Sequence, residues 1–281
     1  MSRVEQQLAE QRASNQSGLP HFEAFRGHRE HQTRLISASQ RQASDRLCVL
    51  GAGNAYDLEL EDLLARFAEV HLVDVDAQAL SRARARVSEA AGARLFTHAP
   101  VDLSGMFEHL ERWARLQITP DELMKAPAAG AKRIAAALPG PFDVVASTCL
   151  LTQLQLSLLR VVGDRHQLFV ALREFLTLTH LRTLAALTKP GGEALLVTDL
   201  CEAAAFPPGS GSEPDLPALM KQLVAAGHVI HSSHPESIRL TLSDDPVLSR
   251  AFGPSEVSEP WLWHNGPQLR FLVYAFTLPR R

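Results

Sequence analysis

Short apolar runs alternate with helical patterns from residue 47 onwards. The runs LCVL, VHLV, RLFTH, PFDVVAS and EALLV are each short enough for a buried strand, and the first ends in Gly51. After that run, Leu60, Leu63, Leu64 and Phe67 recur at helical spacing. Two late alternating runs, SIRLTL and LRFLVYAFTL, complete the pattern. The order predicts an α/β fold with a mostly parallel, seven-stranded sheet and helices on both faces.

The first 44 residues differ in composition from the rest of the chain. They are rich in Gln, Arg, His and Ser and poor in β-branched residues, which predicts one or two amphipathic helices. We interpret residues 1–44 as a helical cap, or lid, and residues 45–281 as the main domain; a disordered or oligomer-forming tail is the alternative. Residues 104–141 are too long for a simple connection, and a capping box at Thr119 and Glu122 predicts a helical insertion there.

Composition and charge narrow the class of protein. The chain has 281 residues, 46% hydrophobic and 21% charged, as in ordinary globular proteins. A net charge of -3 gives no reason to expect a nucleic-acid partner, and we interpret Arg82, Arg84 and Arg86 as a solvated helix face. The three cysteines form no CxxC pair, which argues against disulfides and a metal site. No run resembles a signal peptide or a membrane span, so we expect a cytoplasmic protein.

The segment VLGAGNAYD carries the most informative pattern. A glycine-rich turn between a strand and a helix lets the backbone approach a ligand closely, although the same turn also occurs without one. Asp74 follows Gly53 by 21 residues, at the end of the second predicted strand. Nucleotide-binding folds place an acid there on the ribose hydroxyls. Asp74 could instead cap the next helix, but Asp76 fits that role better.

Tyr56 helps to choose between two ligands. The dinucleotide fingerprint needs a third glycine where this chain has Tyr56, so NAD is disfavoured. The segments VLGAGNAYDL, VHLVDVD, APVDL, FDVVAS and LTKPGGEALLV, over about residues 46–200, resemble the motifs of class I S-adenosylmethionine-dependent methyltransferases. That resemblance implies a Rossmann-like fold, S-adenosylmethionine as the cofactor, and methyl transfer as the activity.

The resemblance also implies which residues bind the cofactor. Gly51, Ala52 and Gly53 resemble the loop under its methionine part, and Asp74 with Val75 resembles the ribose site.

The later motifs supply the remaining implied contacts. Asp102 and Leu103 resemble the pair at the adenine, and Ser147, Thr148 and Cys149 resemble the segment beside the reactive methyl.

The chain departs from the family pattern at two positions. Val49 stands where many members have an acid, and Ala55 stands where many have a third glycine. We expect Asp57 to replace the missing acid in holding the methionine amino group.

The methyl acceptor is not apparent from these motifs. The segment STCLLTQL lacks the signatures of base or glutamine methylation, which leaves a small-molecule or peptide acceptor at O, N, S or C. Cys149, His28, His31 and Trp261 are candidate acceptor contacts, Cys149 is expected to pack rather than act as a nucleophile, and no catalytic base is assigned. An NAD-dependent oxidoreductase and a non-catalytic methyltransferase-like module are the alternatives.

Overall fold

The computed structural model describes residues 2–17, 19–115, 118–202, 215–230, 233–265 and 269–281. Its strands are β1 Arg46–Leu50, β2 Glu69–Val73, β3 Leu95–His98, β4 Phe142–Thr148, β5 Thr188–Glu202, β6 Glu256–Val257, β7 Trp261–His264 and β8 Arg270–Pro279. The α-helices are α1 Arg3–Ser17, α2 Arg26–Ala38, α3 Leu60–Arg66, α4 Ala77–Arg84, α5 Glu89–Gly92, α6 Leu110–Trp113, α7 Pro120–Ala136, α8 Leu150–Val162, α9 Phe169–Leu187, α10 Leu216–Ala225, α11 Pro235–Asp244 and α12 Leu248–Ala251. A 3₁₀ segment, Leu19–Phe25, joins α1 to α2.

The described strands form one mixed sheet in the order β3-β2-β1-β4-β5-β8-β6, with β7 also paired to β8. The first five strands are parallel, and β8 runs antiparallel to β5. Strand order reverses direction between β1 and β4, and ligands of open α/β sheets bind beyond the carboxyl ends of strands at such a point. The predicted fold class is confirmed, with eight strands in place of seven.

Two apolar clusters cover the two faces of the sheet. Side chains alternate along β1, so that Leu47 and Val49 enter one cluster and Cys48 and Leu50 enter the other. The first cluster is completed by α2, α3 and α4, and the second by α7, α9, α10 and α11. Ile36 of α2 is fully buried in the first cluster, so α2 belongs to the packed body of the protein.

One predicted strand is wrong. The run SIRLTL lies in α11, where Ile238 and Leu242 are buried one helical turn apart. The His234 side chain accepts a hydrogen bond from the Glu236 amide, and Pro235 occupies the first turn. A proline and a cap at the start favour a helix, and an alternating run of only six residues also satisfies helical spacing.

Three other local features agree with the expected secondary structure. Residues 104–141 contain α6 and α7, and the Thr119 hydroxyl accepts a hydrogen bond from the Glu122 backbone amide. The N-terminal segment is helical in α1 and α2. Asp76 caps α4 by accepting a bond from the Gln78 amide. No helix among the described residues is long and apolar enough to cross a bilayer.

Candidate functional site at the carboxyl edge of the sheet

The loop after β1 approaches its neighbours too closely for ordinary side chains. Gly51 has a φ of +73°, and a Cβ there would lie 2.8 Å from Leu150 Cδ1. Gly53 has a φ of +49°, and a Cβ there would lie 3.1 Å from Asn15 Oδ1. Ala55, where the family often has glycine, also adopts a positive φ of 51°. The loop therefore takes a glycine-like path even where the side chain is alanine.

Asp74 holds this loop from the end of β2. Its Oδ2 accepts a hydrogen bond from the Gly53 amide at 2.9 Å, and its Oδ1 accepts one from the Asp76 amide at 2.8 Å. Burial raises the pKa of the Asp74 carboxyl, against the effect of these bonds. Each carboxylate oxygen has a second lone pair, so Asp74 can hold the loop and still accept from a diol.

A cleft of about 380 Å³ lies above the loop and is here called the glycine-loop cleft. It is lined by Gly51, Ala52, Gly53, Asp57, Asp74, Thr148 and Cys149, all predicted from the sequence, and also by Asn15 and Trp263. Asp57 Oδ2 accepts a hydrogen bond of 2.9 Å from the side-chain Nε2 of Gln32 in α2. Burial raises the pKa of the Asp57 carboxyl, and the Gln32 bond opposes this rise.

A smaller side pocket continues from Asp74. Val75, Asp102 and Leu103 line it, together with Gln7 and Leu8 of α1. Asp102 also organises its own loop, since Oδ1 accepts from the Ser104 amide at 2.9 Å and Oδ2 from the Phe107 amide at 2.8 Å. Four predicted positions therefore line one pocket: Asp74 and Val75 after β2, and Asp102 and Leu103 after β3.

The aspartates that line this site give it a negative charge. Asp57, Asp74 and Asp102 line the glycine-loop cleft and the side pocket. Neither lining contains a Lys or Arg side chain among the residues that the structure describes. A lining with carboxylates and no basic group favours a cationic ligand and disfavours phosphates.

A third space, here called the strand-end cavity, has a volume of about 760 Å³ beyond the ends of β4 and β5. It shares Cys149 and Trp263 with the glycine-loop cleft. Cys149 is a strained junction residue, with a φ of 49° and a fully packed side chain. Burial and the nearby charges of Asp199 and Asp57 raise its pKa, so the thiol is protonated. This favours the predicted packing role, because the thiolate is the nucleophilic form.

Asp199 is a candidate functional residue that the sequence did not single out. It lines the strand-end cavity at 6% exposure, and Thr152 Oγ1 donates a hydrogen bond to its Oδ1. The register of β5 against β8 shifts between Asp199 and Cys201, so that Leu200 has no partner on β8. Asp199 itself keeps its regular pairing with Val273, so its side chain lies on the same face of the sheet as that of Val197. The motif VTDL indicated only a strand, because the cavity that Asp199 lines is formed with distant residues such as Thr152 and Trp263.

Four of the predicted contacts lie elsewhere. The Ser147 hydroxyl is fully buried, 2.8 Å from His180 Nε2, and does not line the three spaces described above. His28 Nδ1 accepts from Trp261 Nε1 at 2.9 Å, and His31 stacks on Trp261 at 4.2 Å. Burial lowers the pKa of His28 to about 3, so this histidine is neutral.

Trp263, rather than Trp261, reaches the cleft. The strand register explains this, since Trp263 pairs with Phe271, which in turn pairs with Glu202 at the carboxyl end of β5. The His28 ring stacks on the Trp263 ring, with 4.6 Å between the ring centroids. His28 therefore contacts the cleft through Trp263, whereas His31 contacts Trp261, which does not line it.

Helix α1 covers the cleft. Asn15 Nδ2 donates to Asp76 Oδ2 at 3.0 Å, and Asn54 Nδ2 donates to the Asn15 carbonyl at 2.6 Å. Gln11 Nε2 donates to Gln153 Oε1 of α8 at 3.3 Å, and both glutamines line all three spaces. Arg3 and Val4 also contact α6 and α8, but every described side chain of α1 is exposed or half-buried, so α1 is attached more lightly than α2, in which Ile36 is fully buried.

The arginine stripe is more than a solvated face. Arg82 Nε donates to Asn54 Oδ1 at 2.8 Å, and Arg86 donates to the Asn54 carbonyl at 2.8 Å. Arg86 also lies 4.8 Å from the centroid of the Tyr56 ring, which packs edge-on against Phe22. The interpretation as a solvated helix face is therefore incomplete: Arg84 and Arg86 are exposed, and Arg82 and Arg86 also fix the loop after β1.

Comparisons with known proteins give a likeness in structure only. No protein-family profile matches the chain, and no curated protein matches it in sequence. The YcgJ protein from Bacillus subtilis is 12% identical over 90% of this chain and 98% of its own, with a TM-score of 0.48. An rRNA methylase from Streptococcus thermophilus is 11% identical over 90% and 96%, with a TM-score of 0.44. The N-methyltransferase NodS from Bradyrhizobium japonicum, in complex with S-adenosyl-L-homocysteine, is 15% identical over 91% and 88%, with a TM-score of 0.40.

Because these sequence identities and TM-scores are low, the comparisons carry no conclusion about function. The fold follows from the chain itself: a parallel sheet ordered β3-β2-β1-β4-β5, β8 antiparallel beside β5, and a glycine loop after β1. The Rossmann-like α/β fold that the sequence predicts is thus confirmed.

Proposed function

We propose that this protein is an S-adenosylmethionine-dependent methyltransferase. The observation that carries the proposal is the set of three buried or half-buried carboxylates, Asp57, Asp74 and Asp102, around a cleft without a basic lining residue in the described chain. S-adenosylmethionine carries a sulfonium and an ammonium group, whereas NAD carries a pyrophosphate. The cleft therefore matches the charge of the first ligand and opposes that of the second.

The shape of the site also fits the cofactor. The volume of the glycine-loop cleft lies within the usual range of small-molecule sites, roughly 300–1,000 Å³. A Cβ at Gly53 would point towards Asn15 of α1, into the space between loop and helix. A ligand lying there needs glycine at this position.

Each part of the cofactor then has a residue to hold it. Asp57 would bind the methionine ammonium, Asp74 the ribose diol, and Val75 with Leu103 the two faces of the adenine. Asp102 would serve mainly by holding the adenine loop, because its oxygens already accept bonds from Ser104 and Phe107. When bound, the cofactor supplies an electrophilic methyl group whose transfer leaves a neutral thioether. The protein supplies alignment and excludes water.

The domain arrangement remains part of this proposal. Residues 45–281 would form the catalytic body and residues 1–44 its cap, in which α1 is the movable lid. The support is that α1 lies over the glycine-loop cleft through Gln11 and Asn15, whereas Ile36 anchors α2 in the core.

Calorimetric titration with S-adenosylmethionine, S-adenosylhomocysteine, NAD and NADP tests the function. We expect the first two to bind and the last two not to bind. A ligand at a hundredfold excess over its Kd should stabilise the fold by about 2.7 kcal/mol, which thermal melting detects. Binding of NAD, or of none of the four, would contradict the proposal.

A further inference from the structure

Resting on the proposed methyltransferase function, we propose that the strand-end cavity is the acceptor site. It binds an amine on an apolar or aromatic body, and Asp199 holds the ammonium group and takes up its proton. The cavity adjoins the glycine-loop cleft at Cys149 and Trp263, which line both spaces. An acceptor in the cavity is thus placed next to a cofactor in the cleft.

The buried charge of Asp199 is the first argument. Its side chain is 6% exposed, and within the described part of the chain no Lys or Arg forms an ion pair with it. Thr152 donates one hydrogen bond, and a carboxylate has further lone pairs for a ligand. Burying a carboxylate without a counter-ion costs free energy. A cationic ligand bound beside Asp199 would supply the missing ion-pair partner.

The walls of the cavity supply the second argument. Trp263 and Phe271 present aromatic rings 5.2 Å apart, and Val229 and Ile230 add half-buried apolar surface. The Trp263 indole nitrogen is buried and has no hydrogen-bond partner among the described residues. Rings beside a carboxylate suit a cation on an apolar body, because aromatic faces attract positive charge.

Charged groups at the mouth of the cavity do not alter this assignment. Arg160, Glu202 and His228 are all exposed, so water screens them, whereas Asp199 lies at the buried end. Cys201 also lines this cavity, and its thiol carries no charge while it stays protonated. The strongest field on a bound ligand therefore comes from Asp199.

The proton balance of the step follows from this arrangement. The acceptor enters as an ammonium ion paired with Asp199, and one N–H proton passes to the carboxylate. The freed nitrogen lone pair forms the new N–C bond with the methyl as the methyl–sulfur bond breaks, and sulfur keeps that electron pair. The product leaves as a methylated ammonium, and Asp199 releases its proton to water.

Binding of two matched probes to the full-length protein without cofactor tests the site. The probes are 2-phenylethylamine and its neutral analogue 2-phenylethanol, measured by calorimetry with wild type, Asp199→Asn and Glu202→Gln. We expect wild type to prefer the amine, and Asp199→Asn to lose about tenfold in amine affinity while its alcohol affinity is unchanged. Glu202→Gln, a rim control, should change amine affinity less than about threefold.

Three results would overturn the inference: no amine binding to wild type, equal affinities for amine and alcohol, or unchanged amine affinity in a folded Asp199→Asn protein. Thermal melting of each variant confirms that it is folded. Because the titrations contain no cofactor, they separate this inference from the proposed function. Amine binding without S-adenosylmethionine binding would refute the function alone, and the converse would refute the acceptor site alone.

Discussion

Asp74 Oδ2 accepts a hydrogen bond of 2.9 Å from the amide of Gly53. This bond ties the end of β2 to the glycine loop after β1, across neighbouring strands of the sheet. The same carboxylate accepts from the Asp76 amide, so it holds the loop as well as facing the cleft. A variant at this position is therefore expected to change both stability and ligand binding.

Asp74→Ala should lower the free energy of unfolding by about 1–3 kcal/mol and weaken every adenosine ligand. The reason is that two backbone amides lose their acceptor and the ribose loses its carboxylate. Asp45→Ala is the matched control, since Asp45 is also 5% exposed and accepts from two backbone amides, those of Arg41 and Gln42. Denaturant unfolding and calorimetry should show similar destabilisation in both variants but weaker binding only in Asp74→Ala. Unchanged binding in Asp74→Ala would refute the ribose assignment.

Asp57→Asn should separate the amino-acid part of the cofactor from its nucleoside part. We expect the affinity for S-adenosylmethionine and S-adenosylhomocysteine to fall by about tenfold or more, because a charge-assisted bond to the ammonium is lost. The affinity for 5′-methylthioadenosine, which has no amino-acid group, should not change. Asp62→Asn, on the exposed side of α3, is the control. An equal loss for all three ligands would mean that Asp57 supports the loop rather than binding the ammonium.

The stability of the protein should depend on Asp199 below neutral pH. Burial raises the pKa of Asp199 from 3.8 to about 6. Between these values the folded state keeps a proton that the unfolded state has released, so the unfolding free energy falls as pH rises through this window. The unfolding free energy of Asp199→Asn does not fall in this way. Relative to wild type it should rise by up to about 3 kcal/mol between about pH 4 and pH 7.

Urea unfolding at several pH values measures that difference, because the other titrating groups are common to both proteins. A pH-independent difference would show that Asp199 is ionised in the folded protein throughout the range.

Removal of residues 1–17 should leave a folded protein, because Ile36 and the rest of α2 stay in the core. We expect release of S-adenosylhomocysteine to become about tenfold faster, since the cover formed by Gln11 and Asn15 is gone. Stopped-flow displacement measures that rate. Removal up to Ser44 is the contrasting variant and should unfold the protein. An unchanged release rate in the shorter truncation would refute the lid.

Features encoded in adjacent residues were predictable from the sequence. Apolar runs located the five parallel strands, and Asp76 was identified as a helix cap from its position alone. The spacing from Gly53 to Asp74 placed both at the same cleft. These predictions hold because strand burial, capping and the order of crossovers depend on local side chains and chain direction.

Features that require distant residues to meet came only from the tertiary structure. The register of β7 and β8 brings Trp263, not Trp261, to the cleft, and the packing of α8 and β7 around the end of β5 places Asp199 in the wall of the strand-end cavity. Likewise, Arg82 and Arg86, on the surface of α4 and the turn after it, hold a loop some 30 residues away. By itself, the sequence determined the order of strands and helices, the glycine loop and the acids at the strand ends. Strand pairing and packing decided which side chains share a cavity, because those contacts join residues whose separation along the chain carries no local signal.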